Sequence, residues 1–84
     1  EVIHMKLKIL FFGIAAELAN TSEVEISLPE KASVKDFKMA LQIIFPKLQN
    51  LNSYAIAVNE SYATDAILLK SDDVLAVIPP VSGG

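Results

Sequence analysis

Gly83 and Gly84 close the sequence, and Pro79-Pro80-Val81-Ser82 lead up to them. Residues of these types in this order fit one kind of chemistry. A terminal glycine presents a carboxylate on backbone without side chains, thin enough to enter another protein's narrow active site. An α-carboxylate with a pKa of roughly 3.5 is ionised at neutral pH and is a poor electrophile. Adenylation by ATP would turn it into an acyl group with a good leaving group. Pro79 and Pro80 lack N–H groups and cannot extend a sheet ladder. They favour extended polyproline geometry and make a semi-rigid spacer. The six residues from Pro79 to Gly84 reach about 20 Å when extended, with Val81 as one apolar anchor. Gly is about 7% of average usage, so a terminal pair arises by chance in roughly one chain in 200. The ending is therefore informative, but what precedes it must decide the matter.

The rest of the composition narrows the options. The chain has no cysteine and one histidine, His4. Thiolate metal sites, disulfides and a thiol nucleophile are excluded, and a Ser-His-Asp arrangement or a multi-histidine metal site is not expected. Any sulfur carried here must ride on the terminus as a thiocarboxylate. The lone Gly13 is not a phosphate-cradling loop, so the activating machinery and its ATP belong to another protein. No cofactor or metal is expected on this chain. The net charge is −3 and no cluster of lysines accompanies aromatic residues, which argues against nucleic acid. No apolar run approaches the roughly 20 residues of a membrane helix, and no signal pattern is evident. A cytoplasmic location is expected.

With 84 residues, one small domain with one core is expected. A domain near this size buries only about 60–65% of its unfolded surface. Yet 52% of the residues are hydrophobic, so some apolar surface is left over for a partner. Residues 1–4 read as a cloning remnant, since His-Met is a familiar scar. Residues 5–78 read as the folded domain and 79–84 as the tail.

Lys6-Leu7-Lys8-Ile9-Leu10-Phe11-Phe12 reads as a strand ended by Gly13. A short helical turn is expected over residues 14–19. Glu23-Val24-Glu25-Ile26-Ser27-Leu28 alternates cleanly and pairs with the first strand as a hairpin. Ser33 and Asp36 form a capping box for the main helix. Val34, Phe37, Leu41, Ile44 and Phe45 make its apolar stripe, and Pro46 stops it. Strands follow over residues 54–58, 61–63 and 74–78, with Asn59-Glu60 and Ser71-Asp72-Asp73 as turns. The order strand, strand, helix, strand, short strand, strand is that of an α+β mixed sheet with one helix across one face. The ubiquitin-like β-grasp fits it best, with first and last strands as parallel central neighbours.

Three segments carry a resemblance. Leu10-Phe11-Phe12-Gly13 with Glu17-Leu18, Ala57-Val58-Asn59, and the run from Asp73 through Val74-Leu75-Ala76-Val77-Ile78 to Pro79-Pro80-Val81-Ser82-Gly83-Gly84 stand in order and at proper spacing. Together they resemble the MoaD family, the small sulfur-carrier subunits of molybdopterin synthase. The Pro-Pro-Val-Ser-Gly-Gly ending is the most specific part. The resemblance implies that Gly84 is adenylated by a MoeB-like enzyme of the ubiquitin-activating type and converted to a thiocarboxylate by a persulfide donor. The tail then enters the large subunit, MoaE, where two such sulfurs convert cyclic pyranopterin monophosphate into the dithiolene of molybdopterin. The implied assembly is a heterotetramer, and the chain is a sulfurtransferase subunit without an active-site pocket of its own. Ala16 stands where many relatives have Arg, and Asp72-Asp73 where they often have Gly-Asp. A ubiquitin-like protein modifier would need the same tail. A thiamine-pathway sulfur carrier differs mainly in partner, and such carriers tend to be shorter and to lack the Pro-Pro-Val-Ser spacer.

Strand parity adds an expectation of its own. With Leu7, Ile9 and Phe11 inward, Leu10 and Phe12 face away from the helix. On the last strand Leu75 and Val77 go to the core and Ile78 to the open face. Phe12 and Ile78 then emerge together at the root of the tail, with Tyr62 completing an apolar docking patch.

Overall fold

The computed structural model describes residues 3–51 and 53–80. Strand β1 (His4–Phe11) alternates as its lysines require: Met5, Leu7, Ile9 and Phe11 are buried, while Lys6 and Lys8 are exposed. It begins earlier than its apolar pattern predicts. His4 pairs with Pro29, and the Glu30 N–H donates to the Ile3 carbonyl at 2.8 Å. Backbone pairing is indifferent to the polar side chain at position 4, so the ladder runs into residues the sequence reading sets aside.

Helix α1 (Ile14–Ala19) buries Ala15 and Ala19 and is closed by Asn20 in the left-handed conformation, φ 59°, a geometry Asn tolerates. Strand β2 (Glu23–Pro29) returns antiparallel to β1, with Ile26 and Leu28 inward.

Helix α2 (Val34–Ile44) opens with the expected capping box. The Asp36 N–H donates to Ser33 Oγ at 3.3 Å, and the Ser33 N–H donates to Asp36 Oδ2 at 2.9 Å. The bond from the Ser33 N–H, then that from its hydroxyl, and finally the Lys35 charge hold the Asp36 carboxyl below its ordinary range. The next donors are met from elsewhere: the Val34 and Lys35 N–H groups reach the carbonyls of Ile67 and Asp65 at 2.9 and 3.1 Å. The loop after the short strand thus satisfies helix-start groups that capping alone would leave open. Val34, Phe37 and Leu41 are fully buried.

Ile44 corrects the predicted stripe. It is 49% exposed at the last residue of the helix, just before Pro46 forces Phe45 out of helical geometry (φ −125°, ψ 73°). Phe45, also in the stripe, does turn inward and meets Phe11 edge-on, with ring centroids 5.1 Å apart. Pro46 then starts a 3₁₀ turn (Pro46–Asn50) that the apolar pattern does not announce, and its Leu48 is 1% exposed.

Strands β3 (Ala55–Val58), β4 (Ser61–Tyr62) and β5 (Val74–Ile78) complete one five-stranded sheet in the order β2-β1-β5-β3-β4. β1 and β5 are parallel central neighbours and every other pairing is antiparallel. With α2 across one face, this is the ubiquitin-like β-grasp. Leu75 and Val77 are fully buried beneath the helix, as parity predicts.

Candidate functional site

Every second residue of the central strands faces away from α2, and the register lines these residues up in rows. One row reads Leu10, Ala76, Ala57, Tyr62 across β1, β5, β3 and β4. Two alanines in the middle, with a leucine and a tyrosine at the sides, make a trough. Phe11 lies opposite Val77 in the parallel pair, so Phe12 and Ile78 follow at one level, and Ile78 pairs onward with Ala55. The resulting open groove is lined by Leu10, Phe12, Ala57, Tyr62, Ala76 and Ile78, with Val74, Asn59 and Glu60 at its far end. Phe12 is 48% exposed and Tyr62 75%.

The three residues predicted for docking therefore line one groove. Phe12 and Ile78 stand together at its tail end, and Tyr62 stands across the alanine floor as the opposite wall. Leu10 falls on the open face by the same parity. The alanine floor was missed, because small apolar residues in a strand carry no surface signal in sequence. The groove's lining is mostly apolar, with one carboxylate, Glu60. Among the described residues no three His, Cys, Asp or Glu side chains gather as a metal centre. Glu17 is exposed on α1, Asp36 caps α2, and Asp72 and Asp73 sit in the turn before β5.

At the groove's upper end the Phe12 N–H donates to the Val77 carbonyl at 3.2 Å. Gly13 follows with φ 54° and ψ −133°, a backbone setting that side chains oppose. A Cβ there would stand 3.3 Å from Cγ of Pro79. The absent side chain at Gly13 thus makes room for the ring that begins the tail. Pro79 is half-buried and Pro80 exposed. Val81, Ser82, Gly83 and Gly84, predicted as the working end, lie outside the described residues. Ala16 is half-buried on α1 against the core.

The sequence motifs also meet in space. Asn59 occupies the β3–β4 turn with φ 49°, followed by Glu60 at 73°, the paired left-handed geometry of a tight hairpin. Its Nδ2 donates to Asp73 Oδ1, and its Oδ1 accepts from the Val74 N–H, both at 2.9 Å. Asp72 takes φ 73°, the left-handed setting that suits the Gly often found there in the resembled family.

No helix of the described residues is long and apolar enough to cross a membrane. The ThiS family model matches residues 9–84. A molybdopterin synthase sulfur carrier subunit of Arabidopsis thaliana is 33% identical over 95% of this chain and 84% of its own length. One of Drosophila erecta is 36% identical over 95% and 92%. Among solved structures, a putative molybdopterin converting factor subunit 1 of Pyrococcus furiosus superposes with a TM-score of 0.85 at 32% identity, covering 92% of this chain and 99% of that one. SAMP1 of Haloferax volcanii gives 0.84 at 26%, covering 94% and 99%. The complex of subunits 1 and 2 of the molybdopterin-converting factor of Helicobacter pylori gives 0.68 at 27%, covering 95% and 100%. The chain belongs to the ThiS family and, within it, to the molybdopterin synthase sulfur carrier subunits.

Proposed function

We propose that this chain is the sulfur-carrying small subunit of a molybdopterin synthase and that its reactive group is the carboxyl of Gly84. What supports this reading most is its likeness, over nearly the whole chain, to relatives that bear that name. The geometry agrees with it: among the described residues an open apolar groove leads to the proline spacer.

In the proposed sequence the Gly84 carboxylate attacks the α-phosphorus of ATP on a MoeB-like activating enzyme, and pyrophosphate leaves. The terminal sulfur of a protein persulfide attacks the acyl carbon and AMP leaves. A thiol then cleaves the sulfur–sulfur bond, yielding the thiocarboxylate and a disulfide. The groove walls Phe12, Tyr62 and Ile78 dock on the large subunit, while Pro79, Pro80, Val81, Ser82 and Gly83 carry the sulfur into its pocket. There the sulfur passes to cyclic pyranopterin monophosphate. Two small subunits on a large-subunit dimer make a heterotetramer, working in the cytoplasm. This chain supplies the sulfur of the sulfurtransferase reaction and no active-site pocket.

Incubation with ATP, the activating enzyme and a persulfide donor tests this directly. Intact mass should rise by the difference between sulfur and oxygen, and an unchanged mass with a validated activating enzyme overturns the reading. Removal of Gly84 should abolish sulfur loading while leaving the urea midpoint unchanged, because the last strand of the sheet ends six residues earlier, at Ile78.

The likeness to SAMP1, a protein named small archaeal modifier protein 1, supports a second reading as a protein modifier. Covalent ladders on target lysines, dependent on Gly84, would favour it. A thiamine-pathway partner in a pull-down would favour a thiamine-pathway sulfur carrier instead.

A further inference from the structure

The groove has one wall much less secured than the others. β1 and β5 are central strands, each paired on both sides. β4, which carries Tyr62, is an edge strand of two residues. It pairs with β3 alone, through Ala57↔Tyr62 and Val58↔Ser61, with one further bond from the Ala63 N–H to the Ile56 carbonyl at 2.9 Å. Both β4 residues are exposed, so no core contact anchors them. A two-stranded ribbon of this length is marginal by itself.

A side chain at the hairpin tip ties it further to the sheet. The Asn59 amide bridges to β5 through Val74 N–H and Asp73 Oδ1, and the Asn59 N–H donates to the Val74 carbonyl at 2.8 Å. Asp73 is itself fixed: its Oδ2 accepts from the Lys70 N–H at 2.8 Å, and its carbonyl accepts from the Lys8 N–H at 3.1 Å. The hairpin tip is thereby joined to β1, β5 and the preceding loop at one residue.

We propose that Asn59 is a positioning residue of the docking groove, acting through its amide bridge to β5 to fix the β3–β4 hairpin and so set where Tyr62 stands. The consequence for partner binding rests on the function proposed above; the pinning of the hairpin does not.

Two measurements test the two halves. In the free chain, Asn59→Ala should speed hydrogen exchange at the Ala63 amide by about tenfold or more, while the amides of Ile9 and Leu75 in the central strands keep their protection. Unchanged exchange at Ala63 overturns the inference whatever the partner does. With the purified cognate large subunit, Asn59→Ala should weaken binding by about tenfold, comparably to Tyr62→Ala. In the Tyr62→Ala background it should add less than about twofold, since a residue acting through Tyr62 has nothing left to position. Multiplying effects overturn the inference. Asn59→Gly keeps the left-handed backbone and loses the amide. It should bind like the alanine variant, and restored binding would overturn the amide's role. If the wild-type chain binds no large subunit, the proposed function fails while the exchange measurement still decides the pinning.

Discussion

Phe11 and Phe12 are the same side chain one residue apart, and they have opposite fates. Phe11 is 3% exposed and meets Phe45 edge-on beneath the sheet; Phe12 is 48% exposed at the rim of the open groove. The difference extends across the sheet. On the helix side Leu7, Ile9, Leu75 and Val77 are fully buried. On the other side Leu10, Ala76 and Ile78 remain partly open to water. One face holds the fold together, and the other keeps apolar area open among the described residues. A 52% hydrophobic composition in so small a domain is divided between a buried core and an apolar open face.

The comparison can be broken by making the two phenylalanines behave alike. Phe11→Ala should lower stability by about 4 kcal/mol, the cost of emptying a buried aromatic site. A domain of this length is stable by only about 4–13 kcal/mol, so urea denaturation should show a sharply lower midpoint or outright unfolding. Phe11→Leu, which fills more of the space, should remain folded and bind the large subunit with wild-type affinity. Phe12→Ala should do the reverse. Binding should weaken by about 2 kcal/mol, roughly thirtyfold, as for an aromatic anchor, while the urea midpoint hardly moves. Titration calorimetry and denaturation on the same two variants separate the faces. Equal losses of stability would mean that the open face is a second core.

The closed face was legible in the sequence because period-two alternation marks it. Lys6 and Lys8 fix the parity of β1, and β5 appears with the bounds its apolar run predicts. The same parity placed Phe12 and Ile78 outward. Two things escaped. Phe45 packs inward as its place in the stripe predicts, but Ile44 at the helix's last residue is exposed, which periodicity, extending the stripe to the helix end, does not register. The role of Asn59 depends on a hydrogen bond to a residue 14 positions away. A turn propensity marks the residue, but only the sheet order β5-β3-β4 shows what its amide reaches.

A smaller effect probes the helix that closes the inner face. Ser33→Ala removes the Oγ that accepts the Asp36 N–H and should cost about 1 kcal/mol, read as a lower melting temperature. The capping box also gives this face a pH dependence. The Asp36 carboxyl is held below its ordinary 3.8 by bonds from Ser33. A depressed carboxyl contributes stability above the unfolded value, and that contribution is lost as pH falls through the folded one. The stability gap between wild type and Asp36→Asn should therefore be full at neutral pH and close progressively below about pH 4. Affinity for the large subunit at neutral pH should be equal in the two, because α2 and the groove lie on opposite sides of the sheet.

The smallest expected change sharpens the comparison from the turn that feeds β5. Asp72 holds φ 73°, where an L-residue is disfavoured and Asp is tolerated better than most. Its N–H donates to the Lys6 carbonyl at 2.9 Å, a bond that any residue but proline keeps. Asp72→Gly relieves the left-handed strain, of order 1 kcal/mol, and gives back part of that by freeing the unfolded chain. A net gain of about 0.5 kcal/mol should appear as a slightly higher urea midpoint with unchanged slope. Because the turn lies at the opposite end of β5 from Ile78 and the tail, partner affinity should stay at the wild-type value. A tighter or weaker complex in this variant would mean that strain at the base of β5 reaches the groove, and that the two faces are not energetically separate.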